Sequence, residues 1–89
     1  MKRYIRASEV NRELLNNFCK YCRSANVRSV GYAYLENIDT YRLVGISETR
    51  LKSLLDSFLK RHPDYDVKIT LADDGSTFVV DKFCHNFSI

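Results

Sequence analysis

Four side chains in this sequence have the chemistry to hold a metal ion, and they lie in two short motifs. Cys19 and Cys22 are three positions apart in NFCKYC, and Cys84 and His85 are neighbours near the end of the chain. Three thiolates and one imidazole would suit a tetrahedral structural zinc site. Zinc knuckles normally lie on turns, whereas the first two cysteines continue the apolar stripe of a helix, where a reduced cysteine packs as a small hydrophobic residue. We therefore expect core thiols, no metal and no cofactor.

Few other residues point to catalysis. The three glycines are isolated, so no glycine-rich loop can surround a phosphate. His62 ends an apolar stripe just before Pro63, which is typical of a core position at a helix end. The acidic residues are scattered along the chain. The sequence predicts a protein that is not an enzyme.

Basic side chains are concentrated in the first third of the chain. Residues 1–28 carry seven basic and two acidic side chains, whereas residues 29–89 carry seven basic and nine acidic ones. This uneven placement of a net charge of +3 favours an anionic partner for the basic end. The alternative is a solvated surface with a chance bias, and both interpretations stay open at this point.

Two amphipathic helices are predicted. Ser8 and Glu9 supply an N-cap and a first-turn acid for the first helix, and Ser47 and Glu48 do the same for the second, which Pro63 stops. The apolar stripes repeat every three or four residues: Leu14, Leu15, Phe18, Cys19 and Cys22 in the first helix, and Leu51, Leu54, Leu55, Phe58, Leu59 and His62 in the second.

Each helix is followed by two strand-like runs. The first predicted hairpin consists of a strand over residues 27–35, a turn over 36–40 and a return strand over 41–46. The second consists of a strand over residues 65–71, a turn at Asp74-Gly75 and a return strand over 78–83. A short edge strand at residues 2–5 would make the order (β)αββαββ. We predict one α+β domain over residues 1–89, with two helices packed on one face of a four- to five-stranded antiparallel sheet. The helices also align at a shift of 40 residues, which either an αββ duplication or chance agreement of two amphipathic helices explains.

The first predicted strand alternates bulky and small side chains. Val30, Tyr32 and Tyr34 alternate with Ser29, Gly31 and Ala33. Small residues let a helix approach a strand closely, so we expect the small set to face the helices and the tyrosines to lie on the open face. The opposite assignment, with the tyrosines inside and their hydroxyls at the rim, is the alternative. Tyrosines on an open sheet face are typical of binding hot spots.

The composition is that of an ordinary globular chain, with 45% hydrophobic and 28% charged residues. No apolar run approaches the ~20 residues needed to span a bilayer. No apolar stretch follows MKRYIRAS, so we expect no signal peptide. Three cysteines, an odd number, favour reduced thiols over disulfides. These observations predict a cytoplasmic protein that does not bind membranes.

In general style the chain resembles the small proteins carried by phages and mobile elements of bacteria. It is compact, lacks tails and a catalytic motif, and begins MKRYIRAS. Many such proteins inhibit host defence, anti-CRISPR proteins among them. The resemblance implies an inhibitor that acts by binding, and it assigns no role to any residue.

The first hypothesis is a non-enzymatic protein-binding module, of the phage inhibitor kind, that blocks a larger protein or a nucleoprotein complex which processes nucleic acid or defends the host. Its partner-binding residues would be Tyr32, Tyr34 and Tyr41, with electrostatic steering by Arg3, Arg6 and Arg12. In a variant of this hypothesis an acidic patch meets a basic groove of the partner, through Asp64, Asp66, Asp73 and Asp74.

The second hypothesis is a small nucleic-acid-binding protein that uses the basic first helix and the N-terminal arm. The contacts to phosphates would come from Lys2, Arg12, Lys20 and Arg23. A homodimer that buries the tyrosines against a second copy is a third outcome, because an apolar open sheet in a small domain favours association.

Overall fold

In the computed structural model, which describes residues 10–85, the chain forms two helices and one sheet. The elements are α1 (Arg12–Ser24), β1 (Gly31–Leu35), β2 (Thr40–Val44), α2 (Glu48–Arg61), β3 (Tyr65–Leu71) and β4 (Phe78–His85), with a 3₁₀ turn over Glu36–Ile38 between β1 and β2. The predicted α+β class and the order αββαββ are confirmed. The edge strand predicted at residues 2–5 lies outside the described range. Neither helix in that range is long and apolar enough to cross a membrane.

The four strands form one antiparallel sheet in the order β1-β2-β4-β3. Each hairpin keeps its own two strands together, and the pairing of β2 with β4 joins the two hairpins in the centre. If the first αββ unit is exchanged with the second, the order of strands stays the same. A duplicated αββ unit would produce this symmetry. However, β1 and β3 begin at Gly31 and Tyr65, 34 positions apart, so the shift of 40 that aligns the helices does not align the strands. The duplication therefore stays a prediction.

The chain enters α1 from an extended segment that lies beside β4. Val10 forms a parallel bridge with Phe83, and the Asn11 N–H donates to the Phe83 carbonyl at 2.7 Å. β2 pairs only with the first part of β4, residues 78–80, and Val10 takes its place beside Phe83 in the second part. This contact sets where α1 begins relative to the sheet.

One of the two helix caps follows the local sequence pattern, and the other depends on a long-range contact. The Asn11 side chain caps α1 by accepting hydrogen bonds from the N–H groups of Glu13 at 3.0 Å and Leu14 at 3.3 Å. The prediction that Ser8 caps this helix is wrong, because α1 begins only at Arg12, after Val10 and Asn11 have paired with β4. Ser47 caps α2 as predicted.

Strand β1 begins later than predicted, at Gly31 instead of residue 27. Asn26 has a left-handed backbone with φ 73°, and the Val27 N–H donates to the Cys22 carbonyl at 3.0 Å. Residues 25–27 therefore close the end of α1 and are not available to begin a strand.

Aromatic side chains form the centre of the core. The buried ring of Phe83 lies 5.9 Å from Phe18 of α1, 6.3 Å from Phe58 of α2 and 6.3 Å from Tyr65 of β3. Phe18 and Phe58 meet edge to face at 5.3 Å, which joins the two helices. Both helices therefore pack on one face of the sheet, as predicted. The other fully buried side chains include Leu15, Leu43, Val80, Cys19 and Cys22.

A β-bulge in β4 changes which of its side chains face the helices. Asp81 is the extra residue, between the positions that pair with Lys68 and Ile69. Because of the bulge, Val80 and Phe83 both point into the core although they are three positions apart, and neither is accessible to solvent. Strict alternation along β4 would place Phe83 on the opposite face.

The end of β2 passes so close to the start of β1 that position 45 requires glycine. Gly45 has φ +79°, and a Cβ there would lie 2.0 Å from the Ser29 carbonyl oxygen. Gly75 has a similar φ of +75°, but a Cβ at that position would meet nothing within 4 Å. Gly31 has neither constraint.

These three glycines make a matched series for urea unfolding. We expect Gly45→Ala to lower the free energy of unfolding by about 3 kcal/mol or more, because backbone strain and steric overlap add. Gly75→Ala should lower it by about 1 kcal/mol, from strain alone, and Gly31→Ala should cause no loss. Equal losses at positions 45 and 75 would contradict this account of the close approach.

Candidate protein-binding site

Three tyrosines at the β1 edge of the sheet are in ring contact. Tyr34 and Tyr41 are cross-strand partners with ring centroids 5.0 Å apart, and Tyr32 lies 6.1 Å from Tyr41. Tyr41 is buried, Tyr32 is half-buried, and Tyr34 is 45% exposed. The rings form one cluster, hereafter the tyrosine cluster (Tyr32, Tyr34 and Tyr41), which becomes accessible toward the outermost strand.

The prediction that Tyr32 and Tyr34 lie on the sheet face away from the helices is wrong. Residues opposite each other in an antiparallel pair share a face, and Tyr32 lies opposite Leu43, which is fully buried. Val30, assigned to the same open face, is buried as well. The small residues of the strand lie on the other face. Tyr34 is accessible because β1 is the outermost strand, where the cover of the helices ends.

An open cleft of about 520 Å³ lies between the first turns of α1 and the tyrosine cluster. Tyr32 forms the β1 side of this cleft. Its other lining residues are Asn11, Arg12, Glu13 and Asn16. The structure thus brings together Arg12 and Tyr32, two residues that the sequence assigns to the same binding site.

One flank of α1 approaches the β1 region at two points, through the cleft at Tyr32 and through Arg23. Arg12, Asn16 and Arg23 share this flank, because positions four and eleven residues apart recur at similar angles around a helix. The Arg23 guanidinium shows where the flank points, since it donates to the Val30 carbonyl at 3.2 Å, just before β1 begins. At the other end of the flank, Arg12 and Asn16 line the cleft with Tyr32.

The two helices differ in how their cations are paired. On α2, Lys52 lies 3.4 Å from Glu48 and Lys60 lies 3.4 Å from Asp56, one turn apart in each case. Among residues 10–85 no carboxylate lies within 4.0 Å of the three cations of α1, Arg12, Lys20 and Arg23. Within this range α2 thus pairs two of its cations internally, whereas α1 pairs none of its cations with a carboxylate.

Tyr34 is fixed to the connection between β1 and β2. Its hydroxyl donates a hydrogen bond to the Asp39 carboxylate, and Asp39 has a left-handed backbone with φ 49° at the end of the 3₁₀ turn. The hydrogen bond to Asp39, together with partial desolvation and the negative charge, raises the pKa of Tyr34 to about 12. The ring is thus held in one orientation as a neutral phenol.

Other predicted contact residues are placed less favourably. Tyr41 is only 9% exposed, so it supports the two outer rings and leaves little surface for a partner. Lys20 is exposed on α1. The remaining basic candidates, Lys2, Arg3 and Arg6, lie outside the described residues 10–85.

The acidic residues of the alternative patch are separated along β3. Asp64 and Asp66 lie at its start, whereas Asp73 and Asp74 lie in the turn that follows it, at the far end of a strand about 24 Å long. Three of the four have local partners: His85 for Asp64 at 2.9 Å, Lys82 for Asp66 at 3.2 Å, and the N–H groups of Ser76 and Thr77 for Asp74 at 3.0 Å each. These carboxylates hold the second hairpin together and do not form one surface.

The two helical cysteines lie in the core, as predicted. Cys19 and Cys22 are fully buried. Burial raises the pKa of the Cys19 thiol, and it raises that of Cys22 to about 12. Cys84 follows Phe83 in β4, so its side chain points to the sheet face opposite the helices. Within residues 10–85 no three metal-binding side chains form a cluster.

Both histidines contact residues at the start of the second hairpin. His62 ends α2, as predicted, and is half-buried with its ring 4.5 Å from Phe58 and 4.7 Å from Tyr65. His85 Nδ1 lies 2.9 Å from the Asp64 carboxylate, a pairing that could orient a catalytic imidazole. The adjacent thiol of Cys84 points to the other face, so it cannot act as the nucleophile of such a pair.

Four residues of the site are not among the predicted partner-binding residues: Asn11, Glu13 and Asn16 in the cleft, and Asp39 beside Tyr34. Asn11 lines the cleft as well as capping α1, and a signal for it existed, because asparagine caps helices as well as serine does. Asp39 was assigned to a turn without a role for its carboxylate. Its bond to Tyr34 depends on the conformation of the 3₁₀ turn, which no local sequence pattern predicts.

Comparison of the chain with protein-family models, curated proteins and solved structures gave no match.

The bond between Tyr34 and Asp39 predicts a pH effect. The folded pKa of Tyr34 is raised from 10.0 to about 12, so the neutral phenol is favoured by folding. Its contribution to stability is complete below pH 10 and is lost as the pH rises from 10 to about 12. Asp39→Asn should move the pKa back toward 10, because the amide carries no charge.

Tyrosine ring ¹³C resonances followed against pH measure this pKa, and Tyr34→Phe identifies the resonance. Between pH 10 and 12 the free energy of unfolding should also fall less in the Tyr34→Phe variant than in the wild type. A wild-type titration of Tyr34 at the ordinary value would contradict the hydrogen bond.

Thiol labelling tests the placement of the cysteines. In a Cys84→Ser variant, Ellman's reagent should detect no reactive thiol in the native protein and two in guanidinium chloride, because Cys19 and Cys22 are buried and protonated. Rapid labelling of either thiol in the folded variant would show that the packing of α1 described above is incorrect.

Proposed function

We propose that the protein is a non-enzymatic protein-binding module that inhibits a larger host complex by covering one of its functional surfaces. The observation that carries the proposal is the tyrosine cluster beside the cleft of Arg12. Tyrosine and arginine are the side chains that most often supply binding hot spots, since each combines a large contact area with hydrogen bonding. The ring of Tyr34 is already oriented by Asp39, which lowers the entropy cost of binding.

The inhibitory role rests on the resemblance to small phage proteins. That resemblance implies action by occupation of a surface, without catalysis. A surface of two or three anchored aromatic rings with a cation at its border suits such a role, because affinity then depends on a few well-placed side chains.

The charges around the tyrosines favour a protein over a nucleic acid. Arg12 and Arg23 are eleven positions apart, about 16 Å along the helix, and Arg23 already donates to a backbone carbonyl of its own chain. The carboxylates of Asp39 and Glu36 lie close enough to Tyr34 to raise its pKa. Phosphates approaching the exposed ring would meet these negative charges, whereas a protein surface can match both signs.

Two exposed side chains on opposite edges of the sheet provide a matched test. Tyr34 is 45% exposed on β1, and Leu71 is 47% exposed on β3. We expect the wild type and Leu71→Ala to capture the same protein from a bacterial lysate, and Tyr34→Ala to lose it. With the purified partner, Tyr34→Ala should raise Kd at least tenfold, about 1.4 kcal/mol, and Leu71→Ala should change it less than twofold. Equal effects at the two positions would contradict a binding role for the tyrosine cluster.

Fluorescence anisotropy with random single- and double-stranded oligonucleotides distinguishes the alternative. Under the proposal, no binding is expected at physiological salt. Micromolar binding that weakens steeply with salt and is lost in a Lys20→Glu variant would instead favour a nucleic-acid-binding protein.

A further inference from the structure

Two contacts show which flank of α2 faces α1. The Arg50 guanidinium donates to the carbonyl of the C-cap residue of α1 at 2.8 Å, and the Arg61 guanidinium lies 5.6 Å from the centre of the Tyr21 ring. Arg50 and Arg61 share this flank, because eleven residues make close to three full turns of a helix. Leu55 and Leu59 lie about 140° to 180° around the helix from Arg50. They are therefore on the opposite flank, which faces away from α1.

The flank of α2 that faces away from α1 lies on the β3 side of the sheet. His62 ends α2 and stacks on Tyr65 at the start of β3, with ring centroids 4.7 Å apart. Only residues 62–64 connect the two elements, so the chain turns back and β3 runs in the opposite direction to α2. Within residues 10–85, β3 is the outermost strand on this side.

Apolar side chains stay accessible on this flank and on β3. Leu55 and Leu59 are half-buried. The side chains of β3 that face the helices become more accessible along the strand: Val67 and Ile69 are half-buried, and Leu71 is 47% exposed. We use the name α2–β3 strip for these five residues. Covering the strip with other apolar side chains would remove it from water, which is favourable.

A row of four charged side chains runs along α2 beside the strip. Glu48, Lys52, Asp56 and Lys60 are each four positions apart, so they form one ridge of the helix. Their signs alternate, and each lysine lies 3.4 Å from the carboxylate that precedes it. The row has no net charge, so it favours neither an anionic nor a cationic partner.

The alternation makes the row complementary to a second copy of itself. When two such rows lie antiparallel, Glu48 faces Lys60 of the second copy and Lys52 faces Asp56 of the second copy. In a parallel alignment in register each charge would face its own kind. A two-fold axis perpendicular to the helices produces the antiparallel alignment, so the charges of α2 fit a symmetric dimer.

The charges of β3 do not oppose this arrangement. Asp66 and Lys68 have opposite signs, so an antiparallel alignment can place each beside the other. Neither lies on the strip itself, because they alternate with its residues along the strand. Before the strand, Asp64 is paired with His85 at 2.9 Å. Asp73 lies beyond the other end of β3, in the turn.

We propose that the protein forms a symmetric dimer through the α2–β3 strip, with the two α2 helices antiparallel and their charge rows side by side. A two-fold interface must fit itself, and both the apolar strip and the alternating row meet this condition. The aliphatic stems of the lysines add to the apolar contact. The strip lies at the edge of the sheet opposite β1, so the dimer would carry two tyrosine clusters far from its interface. The inference does not depend on the proposed function.

Sedimentation velocity of the full chain from about 5 to about 500 µM, at low ionic strength, tests the dimer. We expect the wild type to convert from monomer to dimer in this range. Lys52→Glu should raise the dissociation constant at least tenfold, because the two-fold axis brings the new carboxylate to Asp56 of the other copy twice. Adding Asp56→Lys to this variant should restore the constant to within threefold of the wild type. Lys20→Glu, the same change on the exposed surface of α1, should alter it less than twofold.

The double variant separates the proposed contact from a loss of helix stability. Lys52→Glu removes one ion pair within α2 and the double variant removes both, so a purely structural effect would be larger in the double variant. Leu71→Ala should weaken the dimer at least threefold and leave binding at the tyrosine cluster unchanged.

The remaining outcomes overturn the proposal. A monomer throughout the concentration range, no rescue by Asp56→Lys, or no effect of Leu71→Ala would show that the α2–β3 strip is not an interface between copies. A dimer that Tyr34→Ala abolishes would assign the interface to the tyrosine cluster instead.

Discussion

The position of Phe83 determines the arrangement of the rest of the molecule. Its ring packs against both helices and β3, and its backbone pairs with Val10 and accepts a hydrogen bond from Asn11. One residue thus fixes the start of α1 and the distance of both helices from the sheet. The cleft between the first turns of α1 and Tyr32 therefore depends on a contact in the centre of the molecule.

Patterns that depend on neighbours in sequence predicted most of the fold. The stripes of α1 and α2, the cap at Ser47 and the two hairpins all follow from local preferences. The cap at Asn11 did not, because the chain reaches α1 only after pairing with β4, a contact across more than seventy positions. The order of the strands is equally non-local, since the pairing of β2 with β4 leaves no trace in either strand's own sequence.

The candidate site was predicted by residue type but not by orientation. Alternation in β1 separates Tyr32 and Tyr34 from their small neighbours, yet it does not say which set faces the helices. That choice is made by the register with β2, which places Tyr32 opposite Leu43. The exposure of Tyr34 arises from a different cause, the outermost place of β1 in the sheet. One contrast also required the structure, although each charge was visible in the sequence: Lys52 and Lys60 of α2 are paired with carboxylates, whereas the cations of α1 have no carboxylate partner among residues 10–85.

The bulge at Asp81 limits how β4 can vary among descendants of this sequence. Deleting Asp81 would remove the bulge but keep Phe83 on the helix-covered face, because only Lys82 would then separate it from Val80. Inserting one more residue between Val80 and Phe83 would instead turn Phe83 away from the helices and bring Cys84 to the core face. The end of the strand would then change sides in a single mutational step. The turn at residues 36–39 carries no such constraint on the core, since none of the residues in its 3₁₀ helix is buried. Insertions should therefore be purged by selection in β4, whereas length changes can accumulate in the turn beside the tyrosine cluster.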